Sequence, residues 1–194
     1  MRQVEADERL RSIHIVPVGK LARSVGEWLA AMVSRHVKVP CYVDDSVLVD
    51  EIRLLPGREQ VDADYLLRRL EEQPVEGGAA IVGLTDADLG LPILTHVFGG
   101  ARADGHTAVV SLARLRQSFY GLPRDNGLTA RRAVAEVLHE VGHLAGLAHC
   151  DRYDCLMHFS PDVESIDLRG DSFCPDCAAA LPADFLREVP EAGR

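Results

Sequence analysis

The chain has 194 residues, 47% of them hydrophobic, which allows one well-buried core and is too little for two full-sized domains. A formal net charge of −9 argues against a general polyanion binder, since phosphate binding needs clustered Lys and Arg, and nucleic acid is not expected as a partner. The opening dozen residues are polar and mixed in charge, and no run approaches the ~18 apolar residues of a membrane span. The expectation is a soluble cytoplasmic protein with no signal peptide, no membrane contact and no pro-segment.

Residues 12–18 read as a strand, 21–33 as an amphipathic helix, and 39–43 as a second strand with Cys41 as a buried residue without chemistry. Helix is expected over 62–70, buried strands over 79–84 and 108–112, and another extended segment, rich in Val, Phe and Gly, over 95–101. This is an α/β pattern: a mixed, twisted sheet with helices behind it. Asp86 and Asp88, just after a strand, read as a solvated turn or helix cap. The glycines at 99, 100 and 105 read as turns or close backbone approach, too irregular for a phosphate loop. His14, His36, His96 and His106 read as packing or surface histidines.

A further helix is expected from Thr129 as N-cap to about Gly146, with Val134, Val137, Leu138, Val141 and Ala145 as its core stripe and His139, His143 and Gly146 on the opposite, cleft-facing side. Residues four apart share a helical face, so His139 and His143 can present both imidazoles to one metal ion. Glycine at 146 permits a left-handed exit that would return His149 as a third nitrogen ligand. Residues 139–149 fit His-Glu-x-x-His-x-x-Gly-x-x-His at every specified position, a pattern that points to a zinc peptidase with an open ligand position and Glu140 as general base.

Four of the five cysteines fall late in the chain: Cys150 and Cys155, then, after an 18-residue gap, Cys174 and Cys177. Disulfides are unexpected in a reducing compartment, and a Cys-x-x-Cys redox pair would leave Cys150 and Cys155 unexplained. The reading is a second, structural zinc closed by four thiolates, its last two ligands opening a terminal helix over 174–186; the tail after Pro190 is expected to fray.

The stretch from His139 to Cys177, about a fifth of the chain, resembles the archaemetzincins, a branch of the metzincin metallopeptidases. The resemblance rests on three histidines followed at once by Cys150, then Cys155-Leu156-Met157, then Cys174-x-x-Cys177. It implies catalytic zinc on His139, His143 and His149, structural zinc on the four cysteines, and Met157 as the Met-turn methionine packed beneath the catalytic metal. It also implies a metzincin-like sheet with an antiparallel edge strand over 96–101 lining the cleft. The chain departs from the pattern in three places. The 16 residues between Met157 and Cys174 are slightly fewer than the family spacing. Phe159 stands where some metzincins carry an oxyanion-stabilising tyrosine, leaving Tyr153 or His158 as substitutes. The Arg58-x-Gln60 element is followed by Val61 where tyrosine is expected.

The combined expectation is one peptidase domain over 1–194, divided into 1–148 with the sheet and active-site helix and 149–194 with the Met-turn and structural zinc. It would hold two zinc ions and cleave peptide bonds. A non-catalytic zinc protein that binds peptides, or a zinc hydrolase of another amide or ester, are the alternatives. Substrate specificity, endo- or exopeptidase action and oligomeric state are not written in the sequence.

Overall fold

The computed structural model describes residues 10–44, 52–74 and 77–187, so the expectations about the opening residues 1–9 and the tail after Pro190 lie outside the described residues. Its main sheet is built from β1 (Ser12–Val18), β2 (Cys41–Val43), β4 (Ala79–Thr85), β7 (Gly99–Ala101) and β8 (Thr107–Ser111), in the order β2-β1-β4-β8-β7. All neighbours are parallel except β7, which runs antiparallel to β8 at one edge. A parallel sheet is covered on both faces, and β4 is buried at all seven positions, which is why its sequence AAIVGLT has no polar alternation.

The strand period of two sends side chains to two cores. Ile13, Ile15, Val82, Leu84, Ala108 and Val110 face α1 (Arg23–Val33) and α3 (Asn126–Leu144); Ile81 and Val109 face α2 (Ala63–Glu71) through Leu66, Leu67 and Leu70. A second, three-stranded sheet, absent from the sequence reading, joins β3 (Val61–Asp62), β5 (Leu89–Leu91) and β6 (Leu94–Val97). The extended segment expected over 95–101 is therefore divided. Residues up to Val97 belong to the small sheet, and only Gly99–Ala101 form the edge of the large one.

Two other expectations are corrected. The cap of α3 is Asp125, whose Oδ1 accepts from the Leu128 N–H, while Thr129 lies one turn inside with its hydroxyl donating to the Asp125 carbonyl. The terminal helix α5 covers only Pro175–Ala180: Pro182 holds Leu181 in extended backbone, φ −77° and ψ 157°, and the helix stops. Between α3 and α5 lies one short helix, α4 (Val163–Leu168).

Asp86 lies exposed in the bend after β4, as a solvated turn would have it, whereas Asp88 is half-buried, and neither caps a helix. Asp88 accepts two bonds from Arg114 at 2.6 and 2.8 Å, and Asp86 pairs with Arg116. Cys41 is half-buried rather than fully buried, and burial pushes its thiol up to about 12. Ser12, His14 and Asp44 form a hydrogen-bonded chain, each link 2.9 Å, that ties β1 to the end of β2.

Candidate metal centre and active-site cleft

The second half of α3 carries the site. As expected, Val137, Leu138 and Val141 pack into the core while His139, Glu140, His143 and Gly146 line a cleft, but that cleft face is itself deeply set, with His139 only 4% and Glu140 only 3% exposed. Helix α3 stops at Leu144. Gly146 takes φ +94°, a left-handed conformation that costs an L-residue ~1–2 kcal/mol. The turn closes with Leu147 N–H donating to the Gly142 carbonyl at 2.9 Å and brings His149 back beside the helix.

The ring centroids of His139, His143 and His149 lie 4.7, 5.3 and 4.8 Å apart, and one nitrogen from each falls within 4.8 Å of the others. Backbone carbonyls orient two of the rings. His139 Nδ1–H donates to the Leu156 carbonyl and His143 Nδ1–H to the Leu147 carbonyl, both at 2.8 Å, which turns their Nε2 atoms toward each other at 3.1 Å. This is the outer-shell arrangement that fixes the tautomer of a metal-binding histidine. Burial, then the Arg169 charge, depresses His139 to about 3, and burial also lowers His149, so both rings are neutral and available to a metal at pH 7.

Glu140 adjoins the triad. Its Oε2 is buried without a hydrogen-bond partner, and burial, then repulsion from Glu136, holds the carboxyl well above the usual carboxylate range. An orphaned carboxylate oxygen beside three converging imidazoles fits a site whose cation and bound water would satisfy it.

The four sulfurs of Cys150, Cys155, Cys174 and Cys177 lie within 4.8 Å of one another, with Cys150 and Cys174 Sγ 3.9 Å apart. A tetrahedron with Zn–S bonds of ~2.3 Å has edges of about 3.8 Å, so the spacing fits one zinc and is far from a disulfide. Backbone N–H groups of Met157 and Cys174 both point at Cys155 Sγ at 3.4 Å, and the Cys177 N–H helps lower Cys174 to about 7. The two groups share a frame. Cys150 N–H donates to the Met157 carbonyl, and Met157, fully buried, lies beneath α3 where a Cβ on Gly142 would stand 2.5 Å from its sulfur.

Two residues that sequence reasoning missed complete the inner wall. Arg169 Nη2 donates to Glu136 Oε2 at 2.7 Å, both residues 5% exposed, and Arg169 Nη1 lies 3.1 Å from His139 Nδ1 and also donates to Ser160. Glu136 could have been noticed one helical turn before the motif. Nothing local marks Arg169.

A cleft of about 720 Å³ opens over the triad, bounded by Leu91, Leu94, His96 and β7 on one side and by Phe159, Ser160 and Pro161 on the other. Arg58 and Gln60 brace the near side: Arg58 donates to the Leu91 and Leu94 carbonyls and Gln60 to the Thr95 carbonyl at 2.8 Å. Phe159 sits 5.3 Å from the His149 ring. Neither proposed oxyanion substitute reaches the cleft. Tyr153 is 76% exposed, and His158 is hydrogen-bonded through Nδ1 to the Cys150 carbonyl. No helix among the described residues is long and apolar enough to cross a membrane.

The chain is similar to known proteins over most of its length. An archaemetzincin from Thermococcus kodakarensis is 37% identical over 180 residues, 89% of this chain and 96% of its own length. A crystallised zinc-dependent peptidase from Methanocorpusculum labreanum superposes with a TM-score of 0.75 at 26% identity, over 88% of this chain and 100% of that one. The archaemetzincin from Archaeoglobus fulgidus, crystallised with malonate, gives a TM-score of 0.71 at 28% identity, covering 88% and 99% of the two chains. Residues 58–183 match the model of peptidase family M54, and the chain belongs to that family of zinc metallopeptidases.

Proposed function

We propose that His139, His143 and His149 hold the catalytic zinc, that Glu140 is the general base and acid for peptide hydrolysis, and that Cys150, Cys155, Cys174 and Cys177 hold a second, structural zinc. The observation that carries this reading is the convergence of three imidazole nitrogens beside a buried, unpartnered carboxylate at the floor of one cleft. Zinc, when bound, acts there as a Lewis acid on the scissile carbonyl and brings the pKa of its water to about 7.

The rest of the work belongs to the chain's own groups. Glu140 takes a proton on its carboxylate from the attacking water and passes it to the leaving amine nitrogen. The Leu156 and Leu147 carbonyls hold the His139 and His143 rings in one tautomer throughout. The free side of β7 offers backbone N–H and C=O groups with which an extended peptide can pair, and Leu94 and Phe159 give the cleft apolar walls that shed water. The whole chain would act as one peptidase domain, with 1–148 supplying the sheet and active-site helix and 149–194 the Met-turn and structural zinc. Four clustered thiols kept reduced suit a cytoplasmic location, and the partner is a peptide or protein rather than nucleic acid or membrane.

The test pairs metal content with turnover. Wild type should carry two zinc ions per chain and cleave peptides; Glu140→Ala should carry the same two and cleave nothing. A Glu140→Ala protein with undiminished turnover would exclude it as the base.

A further inference from the structure

We infer that Gly99 is a positioning residue for Glu140: the missing side chain lets the carboxylate lie directly against edge strand β7. This rests on reading Glu140 as the general base. A Cβ at Gly99 would stand 2.6 Å from Glu140 Oε1 and 3.1 Å from its Cδ, well inside the ~3.5 Å of an ordinary contact. Glu140 is 3% exposed in the buried half of α3, so its carboxylate, the flexible end of the side chain, is the part that would be displaced, toward the cleft it lines. The strand is hindered from moving aside, because the Val109 carbonyl of β8 lies 2.9 Å from the same Cβ position and Gly99 is paired with Val110. The constraint is local to one position. A Cβ at Gly100 meets nothing within 4 Å, although it follows directly on the same strand.

The consequence is a link between the strand and the base. With any side chain at 99, the Glu140 carboxylate must retreat from its place or β7 must shift, and the two explanations predict different couplings. In the first, damage depends on the length of the side chain at 140. In the second, it depends only on the strand backbone.

The experiment is a double-mutant cycle on the zinc-loaded protein, using one quenched-fluorescent peptide that wild type cleaves. Gly99→Ala should lower kcat about a hundredfold, the usual scale for an ångström of misplacement, with KM within about twofold and zinc content unchanged. Aspartate is one methylene shorter and withdraws from the strand, so adding Gly99→Ala to Glu140→Asp should lower kcat by less than about threefold. An equal fall in both backgrounds, or wild-type kcat in Gly99→Ala, overturns the inference. A second readout needs no turnover: Gly99→Ala should lower Tm more in wild type than in Glu140→Ala, where the carboxylate is gone. Equal losses of Tm, or failure to fold in both backgrounds, would assign the clash to the Val109 carbonyl and overturn it. Full activity in Glu140→Gln would instead remove the base reading, and the Tm cycle would still decide whether Gly99 makes room for this side chain.

Discussion

Burial of Glu140 with one oxygen unpartnered is a cost that the folded, metal-free protein carries, and its pH dependence has a definite sign. The folded carboxyl titrates well above its reference value of 4.5, so above pH 4.5 the unfolded chain releases a proton that the folded chain retains. Stability is lost as pH rises from 4.5 toward the raised folded value and stays low beyond it. Glu140→Gln keeps the shape and removes the ionisation. After treatment with a chelator, wild type and Glu140→Gln should melt together near pH 4 and diverge as pH rises, with the variant melting higher at pH 8; coincident melting curves at pH 8 would contradict this. Titrating histidines are common to both proteins and cancel in the difference. At this scale the sequence was highly legible where chemistry depends on local spacing, since His139, Glu140, His143 and His149 lie within eleven consecutive residues. Arg169 was not legible: its partner Glu136 is 33 positions away and only the tertiary fold brings them together.

Among the elements, those with a strong period were read closely and those held by context were not. Strands β1, β4 and β8 fall within a residue of expectation because continuous apolar runs mark buried parallel strands. Strands β3, β5 and β6 have only two to four residues, too few to display alternation, and are fixed instead by Gln60 and Arg58 reaching across to backbone carbonyls. The α3 cap lies a turn before Thr129, because Asp125 is also a competent cap residue and it is the one that accepts the Leu128 N–H bond. The exit of that helix at Gly146 was legible and carries a prediction. A Cβ there meets nothing within 4 Å, so Gly146→Ala adds backbone strain alone, about 1–2 kcal/mol, and should lower Tm by several degrees while weakening zinc binding through His149. Unchanged Tm and zinc affinity would show that the turn does not hold this ligand.

Across the whole molecule, the two proposed metal sites share one segment. Cys150 follows His149 directly, the Cys150 N–H holds the Met157 carbonyl, and Met157 packs beneath α3 between two of the histidines. Loss of the structural group should therefore reach the catalytic one. Cys174→Ala should lower Tm by roughly 10 °C, since structural zinc contributes several kcal/mol to folding and each kcal/mol shifts Tm by about 2–4 °C at this size. His143→Ala, which removes a ligand from the open site, should release one zinc and leave Tm much closer to wild type. Equal Tm for Cys174→Ala and wild type would count against the four-cysteine site. The pattern of apolar runs thus anticipated the mixed sheet, the cysteine spacing anticipated the cluster, and the resemblance added the antiparallel edge, while the packing of the C-terminal part against α3 had no local signature.

The central claim is peptide hydrolysis at the histidine triad with Glu140 as base. Its most direct test is to incubate zinc-loaded wild type and Glu140→Ala with a diverse peptide library and read new termini by mass spectrometry. The account predicts new termini with wild type alone, their positions distinguishing trimming of ends from internal cleavage. New termini produced equally by both proteins, or by neither with both zinc ions confirmed bound, would contradict it.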